Sequence, residues 1–188
     1  MSKQKVLAAA TAILASSSLF LGVAGANLIQ SSEGKRNAVY ADAVGVLTVC
    51  YGHTSPLLRK GMVFTNDECD LLFKSDVAKH QKVLVGPKNC IKSAPLTGNQ
   101  LDAVTSLTFN IGTGNFCSSS LARKLASKDY SGASKEFPKW KYAKGRVLPG
   151  LVIRRANEQR LFNSNSIWKP YILRNLTVYG SPIAGDKR

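Results

Sequence analysis

The stretch from Glu33 to Thr54 constrains this 188-residue chain more than any other. It reads Glu-Gly-Lys-Arg-Asn-Ala-Val-Tyr-Ala-Asp-Ala-Val-Gly-Val-Leu-Thr-Val-Cys-Tyr-Gly-His-Thr. Residues 37–40 and 46–51 suit pleated strands, and residues 41–45 between them suit a turn, so the segment predicts a β-hairpin. Glu33 and Asp42 stand nine residues apart, with Thr48 six further on. A Glu at a helix end facing such a hairpin gives a cleft with one carboxylate on each wall. Glycoside hydrolysis uses that pair: an acid protonates the leaving oxygen, and a carboxylate serves water or the anomeric carbon. The plainer readings are a surface acid at a helix end for Glu33, a turn-former for Asp42 and a strand-former for Thr48.

The residue context favours the first reading. Ser32-Glu33-Gly34, Tyr40-Ala41-Asp42 and the run from Gly45 to Thr54 resemble the active-site segment of bacteriophage lysozymes, the endolysins of glycoside hydrolase family 24. The resemblance continues from Leu96 to Ala103, from Phe109 to Phe116, and through Leu148-Pro149-Gly150-Leu151 with Arg154, Arg155, Glu158, Leu161 and Phe162. It covers about residues 30 to 163 in matching order. One departure is Cys50, where the family usually has glycine.

The resemblance implies an α+β, mostly helical, lysozyme-like fold with a small β lobe and a helical lobe. The first long helix would join them, and the cleft would lie between them. It implies hydrolysis of the β-1,4 bond between N-acetylmuramic acid and N-acetylglucosamine in peptidoglycan, hence host lysis from the periplasm. Glu33 would be the general acid, which must be protonated at working pH. Asp42 would stay ionised to position water or stabilise charge on the sugar ring, and Thr48 would orient that water. Inversion is implied, which requires carboxyls about 6.5–9.5 Å apart. His53 and Asp76 would form a buried structural ion pair, and Phe109 and Asn110 would touch the sugar chain from the cleft floor. Arg154, Arg155 and Glu158 fall at helical spacing and read as a structural salt-bridge cluster. No cofactor or metal is needed. A chitinase-like glycanase and a lytic transglycosylase are the alternatives nearest in chemistry. A non-catalytic cationic protein that disrupts membranes is the alternative from another class.

The first 32 residues carry a second signal. Lys3 and Lys5 precede an uncharged stretch that lasts until Glu33. Residues 6–29 are long enough, at about 1.5 Å each, to cross a hydrocarbon core of roughly 30 Å. The leading lysines would stay cytoplasmic and send the rest outward, through the inner membrane into the periplasm. Only ten of those 24 residues are Val, Leu, Ile or Phe, and the rest are Ala, Gly, Ser, Thr or Asn. Such a segment inserts weakly, which favours an uncleaved signal-arrest-release tether over a signal peptide cut near Ala24-Gly25-Ala26. The expected division is an export segment at 1–29, a catalytic domain at 30–163 and a tail at 164–188 marked by Trp168, Tyr171 and Tyr179.

A net charge of +15 implies a polyanionic partner. Its basic residues are scattered, with no zinc-finger or RNA-binding pattern, so cell wall fits better than nucleic acid. About 160 residues remain beyond residue 26, enough for one well-packed domain, with a monomer as the default. Cys50, Cys69, Cys90 and Cys117 all lie beyond the export segment, and an even count in an exported chain favours disulfides. Their number permits three pairings. The two lobes of the expected fold suggest Cys50–Cys69 and Cys90–Cys117. With no cysteine in the export segment, release by membrane depolarisation or disruption is expected in place of thiol exchange. Capping boxes at 65–68 and 97–100 predict helices to about 85 and 111, and further helices are expected at 118–126, 131–137 and 151–163.

Overall fold

Thr65 and Thr97 each open a long helix. Each threonine hydroxyl accepts from the N–H three residues on, while Glu68 or Gln100 reaches back to the threonine N–H. A computed structural model describes residues 2–17, 21–42, 45–167 and 169. Its elements are α1 (Lys3–Ala15), α2 (Val23–Glu33), β1 (Arg36–Ala41), β2 (Leu47–Cys50), β3 (His53–Thr54), α3 (Asn66–Val85) and α4 (Gly98–Ile111). There follow α5 (Thr113–Cys117), α6 (Ser120–Ala126), α7 (Tyr130–Ser134), a 3-10 turn at Phe137–Lys139, β4 (Tyr142–Ala143), β5 (Arg146–Val147) and α8 (Pro149–Phe162). The result is the mostly helical fold with a small antiparallel sheet that the resemblance implies.

β1, β2 and β3 form one antiparallel sheet in that order, with Tyr40 opposite Thr48 and Val49 opposite His53. The hairpin is thus where the sequence predicts it, although Ala43 and Val44 of its turn lie outside the described residues. The third strand, α5 and the β4–β5 hairpin are additions that the sequence reading lacked. Cys50 has φ +58°, a conformation that ordinarily suits glycine. The family's usual glycine at this position therefore has a backbone reason. A disulfide from Cys50 to Cys69 ties β2 to the start of α3, and a second joins Cys90 to Cys117.

α3 runs through both halves of the molecule. Cys69 and Leu72 pack with Val49, Leu58 and Phe64 on the β side. Leu84, at the far end of α3, packs with Leu101, Val104, Leu107, Phe116 and Leu125 on the helical side. Between them Phe73 and Val77 receive Ala26 and Ile29 of α2. Ile29 is fully buried, which stabilises the packing by roughly 1.5–3 kcal/mol.

The stretch expected as one 24-residue apolar span forms two helices here. Ser16 ends α1 by donating its N–H to the carbonyls of Ala12 and Ile13. α1 places Val6 and Ala10 in the β-side core, and Lys3 pairs with Glu68 at 2.9 Å. No helix among the described residues is long and apolar enough to cross a membrane. α2 then continues without a break from the apolar segment to Glu33. Trp168, Tyr171 and Tyr179 of the tail lie outside the described residues. Residues 164–166 lie against α4, where Asn99 Nδ2 donates to the Ser166 carbonyl at 2.7 Å.

Candidate active site

Glu33 is the last residue of α2. Gly34, at φ +72°, turns the chain away there, which leaves the carboxylate at the helix end. Its side chain is 23% exposed, and Oε1 accepts from Arg154 Nη1 at 2.7 Å. Arg154 is buried, and its Nη2 donates to the Ser106 carbonyl at 3.2 Å. Glu158 Oε1 accepts from Arg154 Nε at 3.2 Å, from Arg155 Nη2 at 2.9 Å and from Ser106 Oγ at 2.7 Å. Burial raises the proton affinity of Glu158, against the opposing pull of Arg155, Ser106 and Arg154. Burial likewise lowers Arg155 to about 10, with Glu158 acting against it.

Helical spacing correctly groups Arg154, Arg155 and Glu158, but it hides the contact to Glu33 across 121 residues. The signal present in the sequence is a charge imbalance. Two arginines against one glutamate leave a cation over for another partner.

The opposite wall is the hairpin. A Cβ placed on Gly52, which has φ +87°, would come 3.9 Å from Glu33 Oε2, so the β2–β3 turn lies beside the carboxylate. Asp42 follows β1, and its Oδ1 accepts from the Val46 N–H at 2.8 Å. Its own N–H donates to the Val46 carbonyl at 2.9 Å, and its carbonyl accepts from Gly45 at 3.0 Å. The carboxylate is therefore fixed by the turn that it helps to make. Thr48, on β2, is buried, and its hydroxyl donates to the Val46 carbonyl at 3.1 Å.

Beyond the hairpin, His53 Nδ1 is 2.8 Å from Asp76 Oδ2, and Lys79 reaches the other Asp76 oxygen at 2.9 Å. The second histidine, His80, is half-buried: Nδ1 meets the Asp76 carbonyl at 2.7 Å, and the ring lies 4.9 Å from that of Phe109. Phe109 also packs on Phe73 at 6.2 Å. Asn110 is exposed and lines a hollow of about 520 Å³ together with Glu33, Arg154, Leu148, Leu151 and Ile153. Asn110 thus stands at Glu33, while its neighbour Phe109 faces the junction of α3 and α4.

The segment that bears Glu33, Asp42 and Thr48 lies within a stretch that this chain shares with other proteins. The phage lysozyme family model matches residues 30–158. An endolysin of Acyrthosiphon pisum secondary endosymbiont phage 1 is 43% identical over 141 residues, covering 73% of this chain and 93% of its own. A SAR-endolysin of Bacteriophage PS34 is 36% identical over 129 residues, covering 69% and 75%. Among solved structures, the muramidase domain of SpmX from Asticaccaulis excentricus superposes with a TM-score of 0.68 at 31% identity, over 77% of this chain and 97% of that one. The chain belongs to the phage lysozyme family.

Proposed function

We propose that this chain is an endolysin, a muramidase that cuts the β-1,4 bond between N-acetylmuramic acid and N-acetylglucosamine in bacterial peptidoglycan. The observation that carries the reading is Glu33, partly exposed at the rim of a hollow, with one oxygen held by Arg154 and the other beside the β2–β3 turn of the sheet that bears Thr48. Arg154 engages Oε1, which leaves Oε2 as the oxygen to carry the proton for the glycosidic oxygen. Asp42 is oriented through Oδ1 by its own turn and supplies the negative charge opposite. Thr48 commits its hydroxyl proton to Val46, so its oxygen acts as an acceptor for a water hydrogen. With Asp42 as a second acceptor, that water attacks the anomeric carbon from the face opposite the leaving group, and the configuration inverts. His53 and Asp76 hold the hairpin to α3, and Asn110 contacts the glycan.

The export segment supports a second part of the reading. Residues 6–29 tether the newly exported enzyme to the inner membrane, and their escape gives the two-helix form in which α1 and α2 pack on the body. Named SAR-endolysins among the relatives, and the sparse apolar content of this segment, support that view.

Analysis of the sugar ends released from isolated peptidoglycan tests the chemistry. Reducing muramic ends, formed with inverted anomeric configuration, are expected. Anhydro ends would move the chain to the transglycosylases, and retained configuration would remove the water-positioning roles of Asp42 and Thr48.

A further inference from the structure

α2 has a start that its own sequence cannot cap. Gly22 stands at the N-cap and offers no side chain, where Ser, Thr, Asp or Asn would ordinarily accept the first N–H groups. The acceptors come from distant parts of the chain. Asp102, near the start of α4 and fully buried, meets the Gly22 N–H with both carboxylate oxygens, at 2.9 and 3.2 Å. The Lys169 carbonyl accepts from the Val23 N–H at 2.7 Å. Asn99 holds that C-terminal segment against α4. Gly25 completes the fit: a Cβ there would come 2.6 Å from Asp102 Cγ, so glycine lets α2 lie this close to α4. A carboxylate also suits the positive end of a helix dipole.

The other end of α2 is Glu33, held by Arg154. Between the ends, Ala26 and Ile29 are fully buried, so the helix moves as one body about 15 Å long. We propose that Asp102 is a positioning residue for Glu33: it seats the N-terminus of α2 and thereby sets where the general acid stands. The inference rests on the muramidase reading and adds a seat that exists only when residues 22–29 are folded on the body. A chain tethered through those residues has no helix start for Asp102 to cap, so seating and escape from the bilayer accompany one another.

The test compares the full-length wild type with Asp102→Ala and Asp102→Asn by hydrogen exchange and by kinetics on isolated peptidoglycan. In Asp102→Ala, amides of residues 23–33 should exchange about tenfold faster or more, with those of α3 and of α4 beyond Asp102 unchanged. kcat should fall about tenfold to a hundredfold while KM stays within about threefold, as for a misplaced catalytic group. Asp102→Asn keeps an acceptor oxygen and should recover part of both effects. It also serves if the alanine variant does not fold. Faster exchange spread evenly over the molecule would make Asp102 a general stability residue and overturn the proposal. So would loosened α2 amides with kcat intact. A wild type that releases no sugar ends would instead sink the muramidase reading and the positioning role with it, while exchange confined to α2 would still establish the seat.

Discussion

Asp42 is oriented by a residue four places along the chain, whereas Glu33 is held by a partner 121 places away and rides on a helix seated by one 80 places away. The setting of Asp42 on the hairpin wall is therefore local. That wall's turn, its β1–β2–β3 pairing and its carboxylate are set within residues 36–54, and its further ties reach residues 62–64, Cys69 and Asp76. The helix wall has no such local setting. α2 acquires its place only when α3, α4 and α8 have assembled, and Arg154 reaches Glu33 through a buried network shared with Ser106, Arg155 and Glu158. A cleft built this way has one wall set mainly by local contacts and one set by distant ones. Under the proposed tether, the wall set by distant contacts is the one that carries the candidate acid.

The largest effect should come from cutting the helix wall at its anchor. Arg154→Ala leaves Glu33 without its partner and removes one cation from buried Glu158, at about 3–5 kcal/mol of stability. The misplaced acid should add a loss of about 10²-fold in kcat. Arg155→Ala removes a cation from the same Glu158 but does not touch Glu33. Denaturant melts should show similar destabilisation for the two variants, with Arg155→Ala retaining more activity per folded molecule. Equal activity losses would mean that the contact to Glu33 is incidental.

On the hairpin wall, replacing both Cys50 and Cys69 by alanine should cost about 2–4 kcal/mol through the lost disulfide. Cys50→Gly in place of Cys50→Ala should return about 1 kcal/mol, because the φ of +58° then costs nothing. Melting temperatures of the two double variants check this directly. Thr48→Val keeps the β-branched shape and should cost only about 1 kcal/mol of stability for the lost hydrogen bond. Its turnover should nevertheless fall about tenfold if the hydroxyl orients water.

The smallest effect concerns α1. Burial works against the charged form of Glu68, but hydrogen bonds from Thr65 and Lys3 outweigh it and hold the carboxyl below its ordinary 4.5. A carboxyl lowered on folding stabilises the fold above its unfolded value and loses that contribution as pH falls through the lower folded one. The pair is partly exposed, so its worth is about 1 kcal/mol or less. Lys3→Met should therefore lower stability slightly at neutral pH, with the difference from wild type starting to shrink below about 4.5 and lost once the pH has fallen through the lower folded value.

Local chemistry made much of this molecule readable beforehand. The capping boxes at Thr65 and Thr97 involve residues three apart, so both long helices were legible to within a residue or two. The β1–β2 hairpin was legible for the same reason. β3 and the β4–β5 hairpin, with two residues per strand, take their existence from pairing partners, and no periodicity can show in so short a run. Residues 131–137 read as one helix, but Asp129 caps α7 through the Gly132 N–H, so the helix starts at Tyr130 and ends at Ser134. Pro138 then sits in a separate 3-10 turn. The apolar composition of residues 6–29 suits a bilayer and a protein interior alike, and only the surrounding Val49, Leu58, Phe73 and Val77 distinguish them. In the candidate site, the hydrogen bonds of Asp42 and Thr48 are local, both made with Val46. The contacts of Glu33 with Arg154 and of the α2 start with Asp102 are hidden by distance along the chain.

The most direct measurement of the central claim is turnover of isolated peptidoglycan by Glu33→Gln beside wild type, with a thermal melt of each. Glutamine preserves the shape and can still accept from Arg154, but it has no proton of the required acidity to give. Released reducing ends should fall about 10²–10⁴-fold with the fold intact. A Glu33→Gln protein that cuts at the wild-type rate would contradict the claim and leave the chain without its acid.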